Sequence, residues 1–279
     1  MERNDKITAI IVLYKMDIDN CLTYKTLSES VRNSRLSISL IFYNNYNGIS
    51  LEGTQDYLVV NAKDNEKLYG AYNFGLAHAK ENDNSWLLLL DQDTEVTKEY
   101  VLGLESVLFR ELDDSVVAIV PILKSGNIIL SPKIISQYGW WQNDIKIKEC
   151  VNERVSAFNS LSLVSVNFFE SIGGFSCKYK LDMLDHWYYN QIYRHKKKVF
   201  VLDTKIEHNL SLLNYENEMS ISRHCDFLNA EYMFVKEELS LLHYITYKMR
   251  LIARFFKQLL FFNNKKYSVI TLKRIVNTL

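Results

Sequence analysis

The sequence has few of the residues that interrupt regular structure. Its 279 residues include only two prolines, Pro121 and Pro132, and nine glycines. Clusters of proline and glycine mark loops and linkers, so their scarcity predicts that no flexible linker divides the chain. Charged residues make up 24% and apolar residues 48% of the sequence. This composition excludes wholesale disorder and allows a sizeable core.

Cysteine is scarce as well. The four cysteines, Cys21, Cys150, Cys177 and Cys225, are far apart and form no CxxC pair. This spacing argues against a structural zinc site and against a disulfide framework, and it is typical of a reducing compartment.

Long apolar runs are missing, so we expect no transmembrane helix. The short apolar run at Ile7–Tyr14 has no small-residue cleavage site and indicates a first core strand rather than a signal peptide. We therefore expect a cytoplasmic protein, either free or peripheral on the cytoplasmic face of a membrane.

Charge is balanced overall but unevenly placed, with 33 basic and 33 acidic residues. Residues 248–279 carry eight bases and no acid, so residues 1–247 have a net charge of 0 − 8 = −8. This basic and apolar end either lies on an anionic membrane surface or packs on the body with its cations in solvent. The acidic remainder argues against a nucleic-acid partner.

Strand and helix patterns alternate over the first part of the chain. Strands are predicted at 7–14, 37–43, 57–60, 86–90 and 116–120, with helices near 19–33, 69–80 and 97–110. This alternation predicts an α/β fold with a doubly wound, mostly parallel sheet flanked by helices. Ligands of such sheets bind beyond the carboxyl ends of the strands.

The later segments are less regular. Ser160–Asn167 alternates polar and apolar residues and predicts a half-exposed strand, and two short strands are expected at 199–202 and 205–208. From about Asp226 the pattern is helical. We therefore predict a catalytic domain over residues 1–225 and a basic, helical extension over residues 226–279.

The sharpest local signal is a run of four leucines, Leu87–Leu90, followed by Asp91, Gln92 and Asp93. Strand side chains alternate, so Asp91 and Asp93 are expected on one side. Two carboxylates at a strand end suit Mg²⁺ or Mn²⁺, which can bridge diphosphate oxygens and offset charge on a departing nucleotide. The alternative is a solvated turn after a strand.

Two segments together resemble a known family. Asn65–Leu76 (NEKLYGAYNFGL) followed by Leu89–Thr94 (LLDQDT) resembles family 2 glycosyltransferases of the GT-A fold, most of all the bacterial rhamnosyltransferase-like branch. The resemblance implies a nucleotide-sugar donor and inversion at the anomeric carbon. It also implies a saccharide or lipid-linked acceptor in surface polysaccharide synthesis and, on the branch alone, rhamnose as the sugar.

The resemblance also implies roles for the acidic and histidine residues. Asp93 would be the main metal ligand, and Asp91 would contact the ribose or a metal-bound water as part of the same site. His208, which follows a strand, would complete the metal site. The alternative for a lone histidine is a structural role.

Further roles on the donor side follow from the same resemblance. Val12 and Tyr14, at the end of the first strand, would flank the nucleotide. Asn44 stands where many relatives have an acidic residue that contacts the base, so the identity of the base stays open. Asn73 would approach the diphosphate, or else serve as a polar helix-packing residue.

The catalytic base is expected in the segment Leu181–Trp187. Inverting transfer needs a group that takes the proton from the acceptor hydroxyl. The resemblance favours Asp185, with Asp182 as the second candidate, because His186 interrupts the family's usual acidic pattern. The alternative is that one of these aspartates caps a helix.

Two weaker features complete the candidates. Trp140 and Trp141, with Tyr138, would suit a wall for stacking sugars or would anchor a loop. Asn159 and Ser160 lie where the family places acceptor contacts.

Two other functions compete with sugar transfer. A non-catalytic sugar-binding or assembly subunit that retains the fold would explain the unusual Asn44 and His186. A nucleotidyltransferase also uses paired aspartates, but it needs a glycine-rich phosphate loop where this chain has Lys15-Met16-Asp17.

Overall fold

The computed structural model describes residues 6–110, 112–139, 142–145, 149–208 and 219–277. The chain forms two compact units. One comprises Met1–Lys133 with Asp144–His208, and the other comprises Ile134–Asn143 with Asn209–Leu279. The predicted domain limit between residues 225 and 226 stays a prediction.

The first unit is built on a mixed sheet. The strands of the described chain are β1 (Ile7–Leu13), β2 (Ile38–Asn44), β3 (Tyr57–Asn61), β4 (Trp86–Asp91), β5 (Val116–Ser125), β6 (Ile128–Ser131), β7 (Lys133–Ile135), β8 (Gln142–Asp144), β9 (Glu149–Val151), β10 (Val155–Ser156), β11 (Ser162–Ser165) and β12 (Lys198–Glu207). The sheet has the order β3-β2-β1-β4-β11-β5-β12-β9, and β6 pairs with β5. The short strands β7, β8 and β10 lie outside it.

Helices flank this sheet and make up the second unit. Those of the described chain are α1 (Leu22–Ser30), α2 (Lys67–Glu81), α3 (Lys98–Leu108), α4 (Val166–Ser171), α5 (Leu184–Arg194), α6 (Ile221–Glu238), α7 (Leu241–Phe261) and α8 (Lys266–Asn277). The last three begin at Ile221 rather than near Asp226. The prediction of an α/β fold with a helical C-terminal segment is confirmed.

Strand direction brings several strand ends to one edge of the sheet. β1 runs parallel to β2 and β4, β2 runs parallel to β3, and β5 runs parallel to β12. β11 is antiparallel to both β4 and β5, so β4 and β5 point the same way. β11 starts near the end of β4 and opposite the middle of β5. The four leucines of β4 are at most 1% exposed, as expected for a strand covered on both faces.

Two strands differ from their predicted lengths. β5 continues through Pro121 instead of ending there, and β12 is one strand rather than two. The two deviations share a cause. The pairing of β12 with β5 is irregular between Val201 and Lys205, opposite Pro121. A proline, which lacks an N–H, is tolerated at such an irregularity.

The segment predicted as a half-exposed strand is instead a buried one. β11 covers only Ser162–Ser165, its first three residues are buried between β4 and β5, and α4 follows at once. The Ser162 hydroxyl lies 2.6 Å from the carbonyl oxygen of Phe158 and 2.7 Å from the hydroxyl of Tyr189. The alternation of polar and apolar residues wrongly predicted an exposed face, because Ser162 is hydrogen-bonded within the protein.

Polar side chains join the three helices of the second unit. Arg254 donates to both carboxylate oxygens of the buried Glu231, at 2.6 and 2.9 Å. The ring of His224, which is fully buried, lies 3.2 Å from the Thr271 hydroxyl, which also bonds to Gln258 at 2.7 Å. None of the helices in the described ranges combines the length and hydrophobicity needed to span a bilayer.

The burial of His224 predicts a loss of stability in acid. Burial, aided by the charge of Arg254, lowers the pKa of His224 to about 4. Since the unfolded value is near 6.5, the unfolded chain binds more protons between these two values, and stability falls as pH drops through that window. We expect a loss of about 2 to 3 kcal/mol from this group.

Urea unfolding at pH 7 and pH 4.5 measures this loss. His224→Gln keeps a hydrogen-bonding side chain but cannot titrate, so its stability should fall less than that of the parent protein over the same interval. Equal falls would show that His224 does not contribute to the acid sensitivity.

Candidate functional site

The turn after β4 holds the two predicted carboxylates. β4 ends at Asp91, and Gln92 and Asp93 form a turn. The expectation that strand alternation places both aspartates on one side was therefore wrong, because the strand does not extend to Asp93. The turn nevertheless brings the two charges together, since the charge of Asp93 raises the pKa of Asp91.

Neighbouring segments fix the conformation of this turn. The hydroxyl of Thr23, at the start of α1, lies 2.6 Å from the carbonyl oxygen of Asp91 and 2.7 Å from that of Thr94. It also accepts the N–H of Thr94 at 3.0 Å. The main-chain N–H of Tyr14 donates to the side-chain oxygen of Gln92 at 2.9 Å. The carboxylates therefore project from a fixed loop.

Asp91 is the electrostatic centre of the site. Burial, and then the charges of Asp93 and Asp185, raise its pKa to about 6, while a hydrogen bond from Ser160 opposes the rise. Ser160 also lies 2.8 Å from the Thr94 hydroxyl. Three carboxylates thus lie near one another at the carboxyl edge of the sheet, where a cation would relieve their repulsion.

His208 lies beside the same turn. Its main-chain N–H donates to the carbonyl oxygen of Lys124 at 2.9 Å, which continues the pairing of β12 with β5. Its Nδ1 is 3.5 Å from the Thr94 hydroxyl. Burial lowers the pKa of His208, although the charge of Asp93 opposes this. The ring is therefore neutral near pH 7, the form in which histidine binds metals.

These residues fit a metal that is shared with a ligand. Within the described ranges, no three His, Cys, Asp or Glu side chains are grouped so as to hold a metal ion by themselves. Mg²⁺ is commonly held by one or two carboxylates, with phosphate oxygens and water supplying the rest. Asp91 and Asp93 meet that requirement, and the roles of Asp93, Asp91 and His208 as ligands stay predictions.

Of the two candidate bases, the structure brings Asp185 to this site. Asp185 lies in the first turn of α5, and its carboxylate accepts the N–H of His186 at 2.7 Å. Its charge raises the pKa of Asp91 and also that of Tyr72. Asp182 precedes α5, and its role as base stays a prediction.

The start of α5 bears on the helix-cap alternative, which stays open. The N-cap position is Met183, with φ of 63°, and no side chain caps the helix from that position. From within the first turn of α5, the Asp185 carboxylate accepts the main-chain N–H of His186. His186 is held by the Ser156 hydroxyl, 2.7 Å from its Nδ1.

Tyr14 and its neighbours form an aromatic surface at the ends of β1 and β2. Tyr14 is 44% exposed, and its ring meets that of Tyr46 edge-on at 5.8 Å. The Lys15 ammonium lies 5.4 and 5.6 Å from the two ring centroids. Val12 pairs with Asp91 across β1 and β4. Aromatic rings and a cation beside the acidic turn suit a nucleotide.

Asn44 stabilises the loop that follows β2. Its side-chain nitrogen donates to the carbonyl oxygen of Ile49 at 2.6 Å and to the side-chain oxygen of Asn61 at 2.9 Å, and its oxygen accepts the N–H of Tyr46. Both donors of the amide are used within the protein. Contact between Asn44 and a base stays a prediction.

Asn73 connects α2 to the segment after α4. Its side-chain oxygen accepts the N–H of Phe175 at 2.9 Å, and its nitrogen donates to the carbonyl oxygen of Phe175 at 3.2 Å. A Cβ at Gly174, where φ is +81°, would lie 2.5 Å from that side-chain oxygen. These contacts favour the helix-packing alternative over contact with a diphosphate.

Two buried polar atoms near the site have no hydrogen-bond partner in the described part of the chain. They are the Tyr72 hydroxyl and the side-chain oxygen of Asn159, the neighbour of Ser160 in sequence. Burial and the charges of Asp91 and Asp185 hold the pKa of Tyr72 well above its usual value, so the phenol remains a donor. Such atoms are rare in folded proteins and are the ones that a bound group would satisfy.

Sequence reasoning missed Thr23, Thr94 and Tyr72 and gave Ser160 no role in the acidic turn. Their contacts join segments far apart in sequence, and no local pattern signals them. Trp140 and Trp141, the predicted stacking wall, lie outside the described residues, and Tyr138 is 69% exposed.

The contacts of Asn73 predict a structural role. Asn73→Ala leaves the main-chain groups of Phe175 without their partners, so we expect a loss of about 1 to 3 kcal/mol in the free energy of unfolding. Binding of UDP or GDP with Mn²⁺ should stay unchanged. Asn33→Ala, at an exposed position after α1, is the matched control. Weakened nucleotide binding with unchanged stability would instead place Asn73 against the diphosphate.

Comparison with known proteins finds similarity in structure but not in sequence. No protein-family model and no curated protein sequence matches this chain. The chain is similar to the crystal structure of GalNAc-T7 with UDP, GalNAc and Mn²⁺, with a TM-score of 0.55 and 10% identity. The match covers 96% of this chain and 54% of that one, so this chain spans about half of that protein.

A second similar structure is the mannosyltransferase PcManGT from Pyrobaculum calidifontis in complex with GDP-Man and Mn²⁺. The TM-score is 0.57 at 12% identity, over 98% of this chain and 81% of that one. Neither structure supports the rhamnosyltransferase-like branch in particular. What both share with this chain is the architecture, and the chain has the GT-A fold of glycosyltransferases.

Proposed function

We propose that this chain is a metal-dependent glycosyltransferase that moves a sugar from a nucleotide diphosphate donor to a saccharide or lipid-linked saccharide acceptor. One observation carries the proposal. Asp91, Asp93 and Asp185 lie near one another at the carboxyl edge of a GT-A sheet, although they come from two segments far apart in sequence. Binding sites of open α/β sheets occupy that edge.

The donor side is formed by the acidic turn and the ends of β1 and β2. Asp93, Asp91 and His208 would hold Mn²⁺ or Mg²⁺, which when bound offsets charge on the leaving diphosphate. Tyr14 and Val12 border the space for the nucleotide. The two similar structures contain UDP and GDP-Man, each with Mn²⁺, which supports a nucleotide-sugar donor and leaves the base open.

The acceptor side depends on Asp185. Its carboxylate takes the proton from the acceptor hydroxyl as that oxygen attacks the anomeric carbon, which inverts the configuration there. The hydrogen bond from the His186 N–H keeps the carboxylate oriented. Inversion, rhamnose and a role in surface polysaccharide synthesis rest on the sequence resemblance.

Substitution of the aspartates separates the two candidate bases. Asp185→Asn keeps the shape of the side chain but cannot accept the proton, so we expect the transfer rate to fall by about 100- to 10,000-fold. Asp182→Asn is the matched control and should transfer sugar at nearly the parent rate. Radiolabelled sugar transfer from UDP-, GDP- and dTDP-sugars measures both. A large loss in Asp182→Asn alone would move the role of base to Asp182.

Removal of the metal or of its main ligand tests the donor side. Asp93→Asn, or addition of EDTA, should lower transfer by roughly 100-fold or more, because several kcal/mol of charge stabilisation are lost. Re-addition of Mn²⁺ should restore sugar transfer by the parent protein but not by the variant. Metal-dependent donor binding without any transfer or donor hydrolysis would favour the non-catalytic sugar-binding subunit.

A further inference from the structure

Helix α7 exposes a row of apolar side chains along its whole length. We call this row the α7 stripe, and each of its members is between 41% and 58% exposed. The members are Leu242, Ile245, Met249, Ile252, Phe256 and Leu259. They recur at intervals of three and four residues, so at about 100° per residue they fall within an arc of roughly 100°. A contiguous apolar face of this size marks an interaction surface.

The other face of α7 packs within its own unit. Tyr247, Leu251 and Gln258 are buried, and Arg254 is paired with Glu231. One face of α7 therefore packs inside its unit, and the opposite face, which carries the α7 stripe, is left exposed by that unit. Beyond the stripe, Leu260 and Phe261 at the end of α7 are 68% and 76% exposed.

Cations border the α7 stripe on both sides. On the same helical projection, Lys248 falls beyond one edge of the arc and Lys257 beyond the other. Lys257 also lines a cleft of about 460 Å³ together with Arg250 and Arg254. Residues 239–277 contain eight basic residues and no acidic one. A partner of the α7 stripe must therefore offer apolar contact and negative charge side by side.

The need for apolar contact beside negative charge distinguishes three kinds of partner: a second copy of this chain, nucleic acid and a bilayer. A second copy of this chain, packed stripe to stripe, would bring basic helices against basic helices with no acidic residue to pair with them. Nucleic acid supplies phosphate but no extended apolar surface. A bilayer containing anionic phospholipid supplies both, and long basic side chains at the edges of an apolar face reach its headgroups.

We propose that the α7 stripe docks on the surface of a bilayer that contains anionic phospholipid. The helix lies in the plane of the interface, with its apolar side chains among the acyl chains and Lys248 and Lys257 at the phosphate level. This proposal is independent of sugar transfer and holds whatever reaction the other unit performs.

Vesicle flotation with the full-length chain tests the proposal. We expect binding to vesicles of phosphatidylcholine and phosphatidylglycerol, little binding to phosphatidylcholine alone, and weakening by salt. The double variant Ile252→Ser and Phe256→Ser removes exposed groups and should lower binding to the anionic vesicles by at least about tenfold. Leu102→Ser on α3, where the side chain is 57% exposed, is the matched control and should bind like the parent protein.

A charge variant and a measurement of assembly complete the test. Lys248→Gln with Lys257→Gln should weaken binding to anionic vesicles and leave the residual binding to phosphatidylcholine unchanged. Circular dichroism checks that every variant is folded. Equal binding by the stripe variant and the Leu102 control would overturn the proposal. So would a dimer, seen by sedimentation velocity without lipid, that the stripe variant dissociates, because the stripe would then bind a second copy.

Discussion

Asp91 lies at the end of β4, whose leucines are buried. Its carboxylate is close enough to Asp93 and Asp185 to be affected by their charges. Burial and like charge both oppose ionisation, and they raise its pKa to about 6. A folded protein keeps such an arrangement only where a bound cation or ligand relieves it, or where surrounding bonds enforce it. The hydrogen bonds from Thr23, Tyr14 and Ser160 enforce it here.

Several polar residues near the site form hydrogen bonds that fix the backbone. Asn44 uses both of its amide donors within its own loop, and Asn73 pairs with the main chain of Phe175. Gly174 leaves room for that pairing. These contacts help to fix the backbone around the carboxylates, and a fixed backbone keeps like charges close together.

The helical unit places its apolar residues on two faces. A single amphipathic helix that packs in a globular unit keeps one apolar face inward and one polar face outward. In α7 the inward face contains His243, Thr246 and Gln258 among its buried residues, whereas apolar side chains point outward between cations. Within the unit, the Glu231–Arg254 pair and the bonds of His224 and Thr271 hold the helices together, which leaves the apolar residues available for a partner.

Local pattern was enough for the order of the elements. Buried runs such as Ile7–Leu13 and Leu87–Leu90 are recognisable by composition, and the leucine run marked Asp91 and Asp93. Asp185 was implied by the family resemblance. Pattern failed where a polar residue is satisfied by a distant partner, as in the buried Ser162, or where an irregular pairing lets a strand pass through Pro121. Strand alternation was also applied to Asp93, which lies in the turn after β4.

What the sequence by itself determined was therefore the α/β class, the acidic turn and the basic end of the chain, because each follows from neighbours along the chain. Only the tertiary structure decided that Asp185 lies near Asp91, that Ser160 and Thr23 contact the turn, that Asn73 pairs with Phe175 and that the α7 stripe faces outward. Those outcomes depend on contacts between residues tens of positions apart, which one-dimensional periodicity does not contain.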